Sequence, residues 1–241
     1  MKFLTLLPLT LVAAQDLQPD QDLDAIDEFQ GLGRNIKTTR DMLTVALNGL
    51  TGSDSPAYVA KILVKNYGCY CFTNGNKIVG SRFNYNGPAV DQLDNLCRNL
   101  YNKQKCLYLD AEEGLYNGQN CEATTKFEWY QDINGDIQCG NPNDPSYVWR
   151  RPCKMNNCYL EREFVEGAVA WYTNSNFNMN TDYRNMNDSE YISTCGMGGQ
   201  GGNGSHQELK CCGEGVERKT FNSLIKECCV DGSVAFIGSC P

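Results

Sequence analysis

The chain has 241 residues, a formal net charge of −8 and a single histidine, His206. Such acidity excludes nucleic acid as a partner, because phosphate backbones are held by a basic stripe. All 14 cysteines follow Tyr67, and with one histidine in a glycine-rich stretch there is no His/Cys set at zinc-ligand spacing.

Met1-Lys2 is a short basic start, Phe3 to Val12 is almost wholly apolar, and Ala13-Ala14 precedes the polar run Gln15-Asp16-Leu17-Gln18. This order predicts a signal peptide over 1–14 and a secreted, extracellular protein. The apolar run is shorter than the ~20 residues a bilayer span needs, and no later stretch is apolar enough, so the chain is not expected to span a membrane. In a secreted chain an even set of cysteines makes structural disulfides. Cys69-Tyr70-Cys71 is C-x-C, not the redox C-x-x-C.

Residues 15–66 form a cysteine-free N-terminal segment with helical periodicity. Leu32, Ile36, Met42, Leu43, Val45, Ala46 and Leu50 give a loose apolar face. Gly52-Ser53-Asp54-Ser55-Pro56 breaks it, and a short helix over 57–65 follows, with Tyr58, Ile62 and Leu63 on one side. Residues 67–172 hold two longer helical patterns. Val90, Leu93, Leu96, Cys97, Leu100, Tyr101 and Leu107 predict a helix over 91–109. Phe164, Val165, Ala168, Val169 and Trp171 predict a second over 158–172.

Between these helices Asn134-Gly135 joins two alternating runs over 127–139, which predicts a hairpin with both turn residues at positive φ. Asp132, Asn134 and Asp136 alternate as in a calcium loop, but Gly135 is misplaced for an EF-hand, and the hairpin is the better reading. Phe127, Trp129 and Tyr130 read as one packed face of that hairpin rather than a lipid-facing patch. Residues 173–210 are rich in Asn, Gly and Ser and read as a linker. It carries two N-x-[ST] glycosylation acceptors, Asn187 and Asn203. Residues 211–241, with Cys211-Cys212, Cys228-Cys229 and Cys240, read as a small cysteine-rich module held by its disulfides.

The middle region resembles the secreted phospholipase A2 family. The residues that carry the resemblance are Tyr67-Gly68-Cys69-Tyr70-Cys71, Gly87-Pro88 with Asp91-Gln92-Leu93-Asp94-Asn95-Leu96-Cys97, a hairpin ending at Cys139, and Cys153 with Cys158 ahead of the second helix. The resemblance implies a mainly α, disulfide-rich fold: a two-helix framework over 67–172 with a small β-hairpin, followed here by the C-terminal module. It implies the pairs Cys71–Cys97, Cys121–Cys153 and Cys139–Cys158. Leu96 and a residue near Gly167 stand where the family has a further bridge. Leu160 stands where Cys106 would find its family partner, so Cys106 must pair elsewhere, with the C-terminal part as a candidate. The partners of Cys69, Cys106 and Cys195 stay open. The C-terminal double cysteines and Asp231-Gly232-Ser233-Val234 are similar, more loosely, to galaxin-like matrix proteins.

Family enzymes use a helix-borne histidine as base and the adjacent aspartate, with glycine-loop carbonyls, to hold calcium. In this chain those positions fall on Leu100 and Tyr101 counting from Cys97, or on Lys103 and Gln104 counting from Cys106; Glu161 falls where an acid backs the histidine. Phe72 and Asn74 replace loop glycines. The implied catalytic set is therefore empty, and no cofactor is expected, calcium being at most a weak ligand. The leading expectation is a secreted non-catalytic phospholipase A2-like binding or extracellular-matrix protein, whose partner is lipid, matrix or another protein. Two alternatives stand beside it: a calcium-dependent phospholipase A2 with displaced catalytic groups, and a toxin-like or inhibitory homologue that binds a protein target.

Overall fold

The computed structural model describes residues 36–48, 55–64, 67–71, 89–119, 121, 125–147, 151–174, 186, 188–195, 209–213 and 217–241. The apolar period of the N-terminal segment becomes α1 (Ile36–Ala46), with Met42, Leu43 and the following Leu47 fully buried. Leu32 and Leu50 lie outside the described residues. Helix α2 (Pro56–Val64) starts on the proline read as part of a breaker. Proline suits a first helical turn because the N–H it lacks would have no helical partner there, and Ser55 Oγ caps the turn by accepting from Tyr58 N at 3.2 Å. The expected face is corrected: Val59, Ala60 and Leu63 are buried while Tyr58 is 57% exposed.

Helix α3 (Gln92–Glu112) carries the longest apolar stripe, with Leu93, Cys97, Leu100, Gln104 and Leu107 all buried. That spacing keeps one face inward over four turns. Asp91 caps it, its Oδ1 accepting from Asp94 N at 2.9 Å. Helix α4 (Pro152–Asn174) begins six residues before the expected start. Pro152 again marks a first turn, and Cys153 and Cys158 lie inside the helix rather than ahead of it. Helices α1 and α3 both pack on α4, and α2 packs on α1, around a core that includes Tyr67, Leu93, Leu100, Phe164 and Val165.

Strands β1 (Trp129–Gln131) and β2 (Ile137–Cys139) pair antiparallel, with Gln131 opposite Ile137. The turn differs from the expected two-residue Asn-Gly form. Gly135 alone has positive φ, +91°, and Asp132 N donates to Asp136 O, so three residues form the loop. Asp132 explains the change: its Oδ1 accepts from Asn134 N at 2.9 Å and Asp136 N at 3.0 Å, which holds a turn that needs left-handed backbone only at the glycine. Phe127 and Trp129 pack against the core.

Within the segment read as linker lies α5 (Asp188–Cys195), tied to the core through the Cys69–Cys195 bridge. Asn187 and Asn203 lie outside the described residues. In the C-terminal module β3 (Leu209–Cys212) pairs with β4 (Lys219–Asn222), and β5 (Lys226–Cys228) with β6 (Val234–Phe236), both antiparallel. No cysteine is free: besides the pairs already named, Cys106 bonds Cys211, Cys212 bonds Cys228 and Cys229 bonds Cys240. No described helix is long and apolar enough to cross a membrane.

Candidate functional site

The sequence elements Tyr67 to Cys71 and Asp91 to Cys97 meet at the N-terminal end of α3. Tyr67 Oη donates to Asp91 Oδ2. Asp94 is fully buried and accepts from Tyr70 N at 2.7 Å through Oδ1 and from Val90 N at 3.0 Å through Oδ2. Gly68 is needed here twice over. Its φ is +59°, and a Cβ on it would lie 2.4 Å from Asp94 Cγ. Cys71–Cys97 closes the cluster. Burial pushes the Asp94 carboxyl above the usual carboxylate range, the backbone donors of Val90, Tyr70 and Cys69 oppose that rise, and neighbouring Asp91 adds to it. The spacing Y-G-C-x-C with D-x-x-D thus builds a covalent and hydrogen-bonded clamp on the start of α3.

One face of α3 then runs inward toward α4. Leu100 is buried in the core, and Gln104, one turn on, is 4% exposed. Gln104 Nε2 donates to Glu161 Oε1 at 2.9 Å. Thr39 of α1 donates its hydroxyl to Glu161 Oε2 at 2.7 Å, across 122 residues of sequence. Glu161 and Thr39 are as deeply buried as the apolar side chains around them. A carboxylate taken out of water is tolerated only when its oxygens find donors, and Gln104 and Thr39 supply one each. Gln104 Oε1 and Asn157 Oδ1, the latter one turn before Glu161, are buried without a hydrogen-bond partner among the described residues.

The candidate positions separate clearly. Leu100 fills core. Tyr101 is half-buried beside it. Lys103 leaves the site altogether, its Nζ reaching Glu163 at 2.6 Å. Gln104 is the residue that meets Glu161. An amide does not take a proton in the neutral range, and both Glu161 oxygens already accept hydrogen bonds inside the protein. The arrangement joins three helices; it offers no exposed base. Thr39 could not be found from sequence, since nothing in its helix marks one buried hydroxyl.

Among the described residues no group of three or more His, Cys, Asp or Glu side chains is arranged to hold a metal ion. Phe72, Asn74 and the rest of the loop over 72–88 lie outside the described residues. Asp132 spends its carboxylate on its own turn, and its Oδ2 also accepts from Gln138 Nε2 at 2.8 Å. These hydrogen bonds, Gln138 first, hold Asp132 below the usual carboxylate range.

A further charged pair escaped the sequence reading. Asp110 of α3 is 2% exposed and pairs with Arg218 beside β4. Tyr116 Oη donates to Asp110 Oδ2 at 3.5 Å and accepts from Asn156 Nδ2 at 3.1 Å. Burial raises the Asp110 carboxyl, while Arg218 pulls it back. Together with Cys106–Cys211 this pair fixes the C-terminal module on α3.

Cys71 with Cys97, Cys121 with Cys153 and Cys139 with Cys158 are the pairs that the resemblance implied. Gly167 faces Leu96: a Cβ at 167 would lie 2.9 Å from Leu96 Cδ2 and 3.7 Å from its Cγ. No protein-family model matches the chain, and no curated protein matches it.

Proposed function

We propose that this is a secreted, non-catalytic binding protein of the extracellular space, built on a phospholipase A2-like two-helix framework. One observation carries the reading. The α3 side chain that hydrogen-bonds Glu161 is the amide of Gln104, and both Glu161 oxygens accept buried hydrogen bonds, from Gln104 and from Thr39. A general base must reach substrate or water and have a proton affinity suited to its task, and nothing at this position does.

Three further observations support the framework. The clamp at the start of α3 uses the residues that carry the resemblance. Three disulfides pair as it implies. Leu96 and Gly167 face each other where it places a further bridge. Full cysteine pairing supports secretion, since disulfides persist in oxidising compartments. On this reading lipid, matrix or a protein is the bound partner.

Phospholipid hydrolysis by the purified chain, with excess calcium and then with chelator, tests the proposal. The expected result is no turnover in either condition. Calcium-dependent turnover at enzyme-like rates would show that other residues carry the chemistry and would overturn it.

A further inference from the structure

Most large apolar side chains in the described residues are covered, but four that are not lie together. Leu224, Ile225, Phe236 and Ile237 are 50%, 53%, 65% and 59% exposed. They occupy one end of the β5–β6 hairpin. Ile225 ends the turn from Asn222, its N–H donating to Asn222 O at 3.2 Å, and Ile237 N donates to Ile225 O at 3.4 Å. Lys226 stands opposite Phe236 in the ladder, and its Nζ lies 5.8 Å from the ring centroid.

The faces on which these side chains stand say what kind of partner fits. Cross-strand partners share a face, so Phe236 lies on the side of Lys226. The next pair, Ile225 and Ile237, then points to the opposite side. The hairpin end is therefore apolar on both faces. A flat protein surface covers one face of a hairpin; a fluid medium wraps both.

Size argues the same way. The four residues expose roughly 450 Å² in all, taking ~200 Å² for a large side chain. That is about half of the ~800 Å² that each partner contributes to a stable protein interface. It does match shallow insertion into a lipid interface, where a few large side chains enter and a lysine beside them keeps its ammonium in the headgroup layer. Lys226 is placed for that role. The one carboxylate on this part of the hairpin, Glu227, turns back to accept from Gly238 N at 2.7 Å. With a net charge of −8 the whole chain gains nothing from an anionic surface, so insertion rather than charge must hold it.

We propose that this hairpin end is an insertion site for a neutral phospholipid surface. The inference names one partner class for the binding reading above and rests on the chain being extracellular, but not on its being inactive.

The test is flotation of the full chain with phosphatidylcholine vesicles in chelator, with free fatty acid measured in the same samples. Turnover would then be scored apart from binding. Three proteins are compared: wild type, Phe236→Ser with Ile237→Ser, and Val230→Ser. Val230 is fully exposed at the other end of the same hairpin, so it controls for general loss of apolar surface. The expected result is that wild type and Val230→Ser float equally at low and high salt, and that the double variant partitions at least about tenfold less. Failure of wild type to float would overturn the proposal. So would equal flotation of the double variant, equal loss in Val230→Ser, or binding abolished by salt.

Discussion

At the scale of single residues, Asp94 shows how one buried acid can organise a helix start. Its two oxygens serve different backbone donors, so Asn at this position would satisfy one N–H and turn its own amide protons toward the other. Asp94→Asn should cost about 1–3 kcal/mol. The cost should also vary with pH in a definite direction. The folded carboxyl titrates above its unfolded value. Its contribution is therefore full below the unfolded pKa and is lost as pH rises through the folded one. Denaturant midpoints of wild type and variant, with disulfides intact, should converge as pH rises across that window; a gap that widens with pH would refute the assignment. Much of this cluster was legible as pattern, because Tyr67, Gly68, Asp91 and Asp94 stand at marked spacings. What the pattern did not say was the physical job of each. The Glu161 position was legible too, and Gln104 stood among the positions counted from Cys106, but Thr39 was not legible, since it does not differ in sequence from an ordinary polar helix residue.

At the scale of elements, periodicity found α1 to α4, placed the starts of α2 and α4 late, and missed α5 in the segment read as linker. Pro56 and Pro152 both open helices, and both were read as lying outside them. Proline at a first turn is the signal that would have moved both boundaries. The hairpin was found from Asn134-Gly135, but its three-residue loop depends on hydrogen bonds that the Asp132 carboxylate accepts, which a two-residue motif does not contain. The packing of α3 on α4 gives a sharper test. Leu96 Cγ lies 3.7 Å from where a Cβ on Gly167 would sit, so side chains at the two positions meet, as those of a bridged pair must. Leu96→Cys combined with Gly167→Cys should oxidise to an added bridge and raise stability by about 0–5 kcal/mol. A thiol assay on the unfolded, unreduced variant checks it. No free thiol is expected, and two free thiols would place the helices out of the register described here.

At the scale of the molecule, the C-terminal module is attached by more than its peptide link. Cys106–Cys211 and the Asp110–Arg218 pair both anchor it to α3, and Arg218 is largely enclosed. Replacing Cys106 and Cys211 with Ser should lower stability by about 2–4 kcal/mol, while peptide mapping still finds Cys212–Cys228 and Cys229–Cys240. Scrambling of those two pairs in the variant would mean the module has no independent covalent frame. The spans of the seven bridges also set an order in which the chain can oxidise. Five close over 11 to 32 residues, but Cys69–Cys195 and Cys106–Cys211 span 126 and 105. Closing the longest rather than the shortest costs about 2 kcal/mol more in loop entropy. During synthesis Cys69 and Cys106 therefore emerge as thiols long before their partners exist, while nearer cysteines compete for them. The two bridges that lock the periphery to the core therefore require Cys69 and Cys106 to stay unpaired, or to be freed again by thiol–disulfide exchange, until Cys195 and Cys211 have emerged.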